Sequence, residues 1–160
     1  MATPTEWMKS EYDDLVKKGF DWKPPVIGGP STGRAIIDDK ERIMLCANNY
    51  LSMSNHPKVK QAAIDAVKSH GAGSGSVRPI AGNMDIHNEL EDTIARFKNR
   101  EAALYYQTGF AVNSGLIPQL AGKNDSIISD QLNHGSIIDG VRLSGVKKEN
   151  RTIYAHNDMV

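Results

Sequence analysis

From Asp85 onward the sequence alternates between segments of helical periodicity and short β-prone runs, and this alternation constrains the fold more than any other feature. Ile86, Leu90, Ile94 and Phe97 mark one face of a helix over 85–98. Strands are expected at 101–107, 126–129 and 152–155, with helices at 110–120 and 136–143 between them. This order implies βαβ units on a mostly parallel sheet flanked by helices, an α/β class. Sheets of that kind are covered on both faces and usually hold more than three strands. The sheet is therefore expected to continue past Val160, and the chain reads as the first part of a larger domain.

The residues before Asp85 read differently. Trp7, Met8, Tyr12, Leu15 and Val16 give an amphipathic helix over 5–18 that packs onto something else, with Gly19 as its stop. The run Pro24-Pro25-Val26-Ile27-Gly28-Gly29-Pro30 is an extended connector, because its prolines can hold neither a helix interior nor a central strand. Two short strands follow, 34–38 and 42–47, joined by the turn Asp39-Lys40-Glu41. A helix is expected from about Pro57 to Ser69, with Asn55 as its cap. The chain divides accordingly into residues 1–56 (helix, connector and short strands) and 57–160, the start of the α/β domain.

Charge and cysteine content exclude several classes of function. Nineteen basic residues balance nineteen acidic ones and no Lys/Arg run occurs, so the footprint of a nucleic-acid binder is missing. No segment approaches the apolar run that a membrane helix needs. Cys46 is the only cysteine, which rules out an intrachain disulfide and argues against a cysteine metal site. Its apolar surroundings suggest a buried, inert thiol. The acidic N-terminal stretch lacks a signal-peptide core, making the cytoplasm the expected compartment.

Three features could carry chemistry. Thr108-Gly109-Phe110 sits where a strand gives way to a helix, and a helix N-terminus offers unpaired N–H groups and a positive dipole end to a phosphate. Gly73-x-Gly75 lacks the strand and helix of a dinucleotide fingerprint and the Gly-Lys-Ser/Thr of a P-loop. Of the five histidines (His56, His70, His87, His134 and His156), none forms a zincin-like pair, so no metal is expected. His134 stands just past the strand 126–129, where parallel sheets place ligand groups. The residues alone thus indicate an α/β fragment with a phosphate-binding helix end.

Three blocks in register carry a resemblance. Asn48-Asn49-Tyr50-Leu51 with Asn55-His56-Pro57 forms the first. Residues 70–78, Gly82 and His87-Asn88-Glu89-Leu90-Glu91 form the second. Ser129-Asp130 and Leu132-Asn133-His134-x-Ser136-Ile137-Ile138-Asp139-Gly140 form the third. Together they resemble the α-oxoamine synthases, pyridoxal-phosphate (PLP) enzymes of fold type I that condense an amino acid with an acyl-CoA. The resemblance covers about residues 5–160 and implies the N-terminal part of the large PLP-binding domain. It implies that His134 stacks on the cofactor ring as the catalytic residue of this stretch, and that Thr108, Gly109 and Phe110 bind the cofactor phosphate. Asn48 is implied near the amino-acid substrate and Ser76 at the acyl-CoA entrance, in an obligate homodimer.

Within that family, Ser76-Val77-Arg78-x-Ile80-x-Gly82 most resembles glycine C-acetyltransferase, which implies glycine and acetyl-CoA as substrates and a 2-amino-3-keto product. The alternatives are another member, such as 8-amino-7-oxononanoate synthase, and a non-catalytic scaffold subunit. Ser52 stands where the family has glycine, Asn83 where it usually has threonine, and Gly135 where it has alanine or threonine. The chemistry also needs a Schiff-base lysine and a carboxylate on the pyridine nitrogen. None of the twelve lysines occupies the family's lysine motif, so the chain alone is expected to be inactive.

Overall fold

In a computed structural model describing residues 5–158, the chain forms two compact units, Met1–Ser74 and Gly75–Val160. The first opens with helix α1, Glu6–Lys17. Gly19, at φ 72°, ends it by directing its own N–H to Val16 O and the Phe20 N–H to Leu15 O. No residue of α1 is buried, and its apolar face, led by Trp7 and Tyr12, stays open. The connector lies against strand β1, Arg34–Ile37, through Gly28 N–H to Ile36 O and a bridge from Ile27 to Ile37.

β1 pairs antiparallel with β2, Lys40–Ile43. The turn is therefore Asp38-Asp39, and the second strand starts two residues before its expected place. Both aspartates have positive φ (47° and 62°), the conformation that matches a two-residue loop to strand twist. Beyond Ile43 no ladder continues, and Cys46 is exposed, which corrects the expectation of a buried thiol. Helix α2, Pro57–His70, is capped by His56, whose Nδ1 accepts the Lys58 N–H at 3.2 Å. The cap is thus one residue later than Asn55, because Pro57 already fills the first helical position.

The second unit begins with a π-turn, Arg78–Gly82, in which the N–H groups of Ile80, Ala81 and Gly82 converge on Val77 O. Helix α3 (Asp85–Lys98), helix α4 (Gly109–Leu120), strand β3 (Ile127–Asp130), helix α5 (Gly135–Leu143) and strand β4 (Arg151–Tyr154) follow. β3 and β4 run parallel, Ile127 opposite Arg151 and Asp130 opposite Tyr154, so α5 is the crossover of a βαβ unit. The strand expected at 101–107 does not form. β3 and β4 pair only with each other, and the Tyr105 N–H goes instead to Glu91 Oε1 at 2.9 Å.

That contact belongs to a clasp. Arg78 meets Glu91 through two parallel hydrogen bonds of 2.5 and 2.9 Å, and its Nε donates to Asn83 Oδ1. The clasp ties the π-turn to α3 and to the segment after it. The Arg78 fork, with help from the Tyr105 N–H, pulls the Glu91 carboxyl from 4.5 down to about 2. A depressed carboxylate stabilises the fold above its unfolded pKa and loses that contribution as pH falls toward the folded value. Thermal melts of the protein and of Glu91→Gln should therefore differ at neutral pH and converge between pH 4.5 and about 2. A gap that persists unchanged through that range would refute the clasp.

Candidate functional site

Thr108 caps α4. Its backbone is extended (φ −145°, ψ 155°), and its Oγ1 accepts the Ala111 N–H at 3.0 Å. Among the described residues, the N–H groups of Gly109 and Phe110 have no acceptor, as first-turn helix positions do. A Cβ built on Gly109 would meet nothing within 4 Å, so the helix start is open on the side a side chain would occupy. Two unpaired donors, a dipole end and free volume fit a phosphate group.

His134 caps α5. Its Nδ1 accepts the Ser136 N–H at 3.1 Å and lies 2.7 Å from Ser136 Oγ. The buried Ser136 hydroxyl also accepts from Asn113 Nδ2 at 2.9 Å, which joins the first turn of α5 to the second turn of α4. One turn further along α5, Gly140 packs against Asn113 O and Ile117. The two helices therefore advance in the same sense, and the phosphate donors and His134 lie at one shared end. His134 is exposed and its imidazole is anchored through Nδ1, with no described contact at Nε2.

The loop before His134 is held by Asp130 at the end of β3. Its Oδ1 accepts the Leu132 N–H at 2.7 Å, and Asn133 Nδ2 donates to Ser129 Oγ. The Leu132 hydrogen bond, aided by His156 Nδ1 at 3.1 Å, holds the Asp130 carboxyl below its usual range. His56, His87 and His134 each use Nδ1 to accept a backbone N–H at a helix start, so capping alone does not mark His134 out. Among the described residues, no three His, Cys, Asp or Glu side chains gather as a metal site would require. No described helix is long and apolar enough to cross a membrane.

The other candidates lie elsewhere. Asn48, in the first unit, is exposed, whereas its neighbour Asn49 is structural. Asn49 Nδ2 donates to Ser31 O at 2.6 Å and its Oδ1 accepts the Ser54 N–H. Ser52, the family-glycine position, has φ 54°, a left-handed conformation costing a serine about 1 kcal/mol relative to glycine. Ser76 is half-buried at the mouth of the π-turn, in the second unit. A cavity of about 420 Å³ lies between α5 and the β3–β4 sheet, lined by residues including Ile127, Ile138, Val141 and Ile153, but neither residues 108–110 nor His134 line it. The sequence reading missed Asn113, Ser136 and the Arg78–Glu91 clasp. The signal for Asn113 was a lone amide in the otherwise apolar stretch Gly109-Phe110-Ala111-Val112.

Residues 40–160 match the family described as aminotransferase class I and II. The chain belongs to that family. Among curated class I and II relatives, the 8-amino-7-oxononanoate synthase of Thermoanaerobacter pseudethanolicus is 49% identical over 154 residues, covering 96% of this chain and 38% of that protein. The corresponding synthase of Alkaliphilus metalliredigens is 47% identical over the same extent. A serine palmitoyltransferase from S. paucimobilis, solved with a bound PLP–myriocin adduct, superposes with a TM-score of 0.82 at 28% identity. That match covers 96% of this chain and 38% of the other. The fold is thus the α/β fold of the class I and II transferases, and the chain spans about 38% of the length of these curated relatives.

Proposed function

We propose that these residues form the phosphate-binding and ring-stacking part of a PLP-dependent C-acyltransferase that joins a small amino acid to an acyl-CoA. The observation that supports this reading is the packing of α4 on α5 in the same sense, which puts the N–H groups of Gly109 and Phe110 and the anchored His134 imidazole at the same end of the helix pair. Gly109 and Phe110 would hold the phosphate, with Thr108 fixing the helix start. His134 would lie on the ring, and Asn48 and Ser76 would face the substrates. Bound PLP supplies an electron sink for carbanion chemistry at the amino acid's α-carbon. The chain's own contribution is to bind, orient and shield. The lysine and pyridine-nitrogen carboxylate belong, on this reading, to the rest of a longer, homodimeric cytoplasmic enzyme.

The substrates follow less directly. Glycine with acetyl-CoA was the sequence-based expectation, drawn from Ser76-Val77-Arg78-x-Ile80-x-Gly82. Arg78 is committed to Glu91, and Val77 and Ile80 are exposed, so the fold accounts for that motif without a specificity role. The curated relatives favour 8-amino-7-oxononanoate synthesis as a second reading. That product is an α-amino ketone whose amine carbon bears a methyl group, which points to alanine in place of glycine.

Titration with PLP and with pyridoxal tests the cofactor reading. PLP is expected to bind at least about tenfold more tightly, the worth of one charge-assisted hydrogen bond. Gly109→Ala, which meets no steric conflict in the fold, should narrow that ratio. Equal affinities would sink the phosphate cradle. Release of CoA thiol by a longer enzyme carrying residues 1–160, with glycine or alanine as acceptor, separates the two substrate readings.

A further inference from the structure

We infer that Ser136 and Asn113 are positioning residues that hold the His134 imidazole as its Nε2–H tautomer in a fixed ring plane; the catalytic meaning of this rests on the cofactor reading above. The direction of each hydrogen bond follows from one obligate donor. The Ser136 backbone N–H can only donate, so Nδ1 of His134 must present its lone pair. At 2.7 Å from that lone pair, the Ser136 hydroxyl has to donate its proton as well, since two facing lone pairs would repel. Its oxygen then accepts from Asn113, which fixes the amide with Nδ2 inward at 2.9 Å. The relay runs from amide through hydroxyl to imidazole, and the ring proton is left on Nε2.

A serine hydroxyl also faces Nδ1 of His70, from the exposed Ser69 at 2.8 Å, whereas the hydroxyl at His134 is buried and linked onward to an asparagine. His56 and His87 also receive a backbone N–H at Nδ1, but among the described residues no hydroxyl backs either ring. Ser136 is only 2% exposed, so water cannot substitute for its hydroxyl. Asn113 sits one turn beyond Gly109 and Phe110 in α4. The helix whose N-terminus would hold the phosphate therefore also reinforces, through Ser136, the tautomer that the backbone N–H favours, and one hydrogen-bonded chain links the two halves of the site.

Long-range proton–nitrogen NMR of the cofactor-free protein reads the tautomer directly. His134 is expected to carry its proton on Nε2. Asn113→Asp is nearly isosteric but reverses the relay: the carboxylate accepts a hydrogen bond from the hydroxyl, which keeps its proton, and the serine oxygen turns a lone pair toward Nδ1. The Nδ1-protonated fraction should then rise about fivefold, the worth of one hydrogen bond, while His56 and His87 stay unchanged. Ser136→Ala, which keeps the backbone N–H, should give a smaller rise and decides the matter if circular dichroism shows the aspartate variant unfolded. An unvarying His134 tautomer in the folded variants, or a proton already on Nδ1 in the parent, overturns the inference. A tautomer that responds as expected in a protein indifferent to PLP would leave the relay standing and remove the cofactor reading instead.

Discussion

Gly82→Ala is expected to cost about 3 kcal/mol or more, a fall in Tm of roughly 10 °C for a chain of this size. Gly82 is buried at the end of the π-turn, and a Cβ there would collide with the Ser76 carbonyl oxygen and lie 2.9 Å from the Val77 carbonyl carbon. Both obstacles are backbone, so no rotamer change relieves them. The turn must open instead, weakening the three N–H contacts to Val77 O and shifting Arg78 away from Glu91. Ser76, proposed to face the acyl-CoA, would move with it. Gly135→Ala serves as the control, because a Cβ there meets nothing within 4 Å. Matching melting curves for Gly82→Ala and Gly135→Ala would show that the turn is softer than its geometry implies.

Gly140→Ala is expected to destabilise by about 2–3 kcal/mol, and here the damage should spread to the site. The added methyl would run into the Asn113 carbonyl oxygen and sit 2.9 Å from Ile117 Cδ1. Ile117→Val removes the second obstacle and leaves the first. The double variant should therefore recover only a minor part of the loss, since a carbonyl on a packed helix cannot swing aside. Forcing α4 from α5 also stretches the bond from Asn113 to Ser136, so PLP affinity should fall together with stability. Complete rescue by Ile117→Val, seen in denaturant melts, would mean that the helices are separated by side chains and not by a backbone contact.

These two glycines illustrate what the sequence could and could not disclose. Elements with their own periodicity were legible: α3 matches its expected span, and α4, β3, α5 and β4 fall within one residue of theirs. Local chemistry placed Thr108 and His134 at or just before helix starts, although only His134 follows a strand that forms. The segment 101–107 misled because its two tyrosines record a strand preference, whereas a strand exists only with a partner. The hairpin turn was misplaced because charge at 39–41 outweighed the readiness of Asp38 and Asp39 to adopt positive φ. Gly82 and Gly140 need glycine because of atoms contributed by other elements, a requirement that no local pattern encodes. The Asn113–Ser136 contact, 23 residues apart, is of the same kind.

The β3–β4 ribbon has a consequence of its own. It is two strands wide, with Ile128 and Ile153 about three-quarters exposed and, among the described residues, no ladder on the outer edge of either strand. Amides and carbonyls along such borders are a template for any polypeptide able to lie alongside, including another copy of the same ribbon. An unshielded ribbon of this kind is expected to be prone to edge-to-edge association. Whatever occupies its flanks in the working molecule therefore acts as a guard against self-adhesion as much as a source of folding energy.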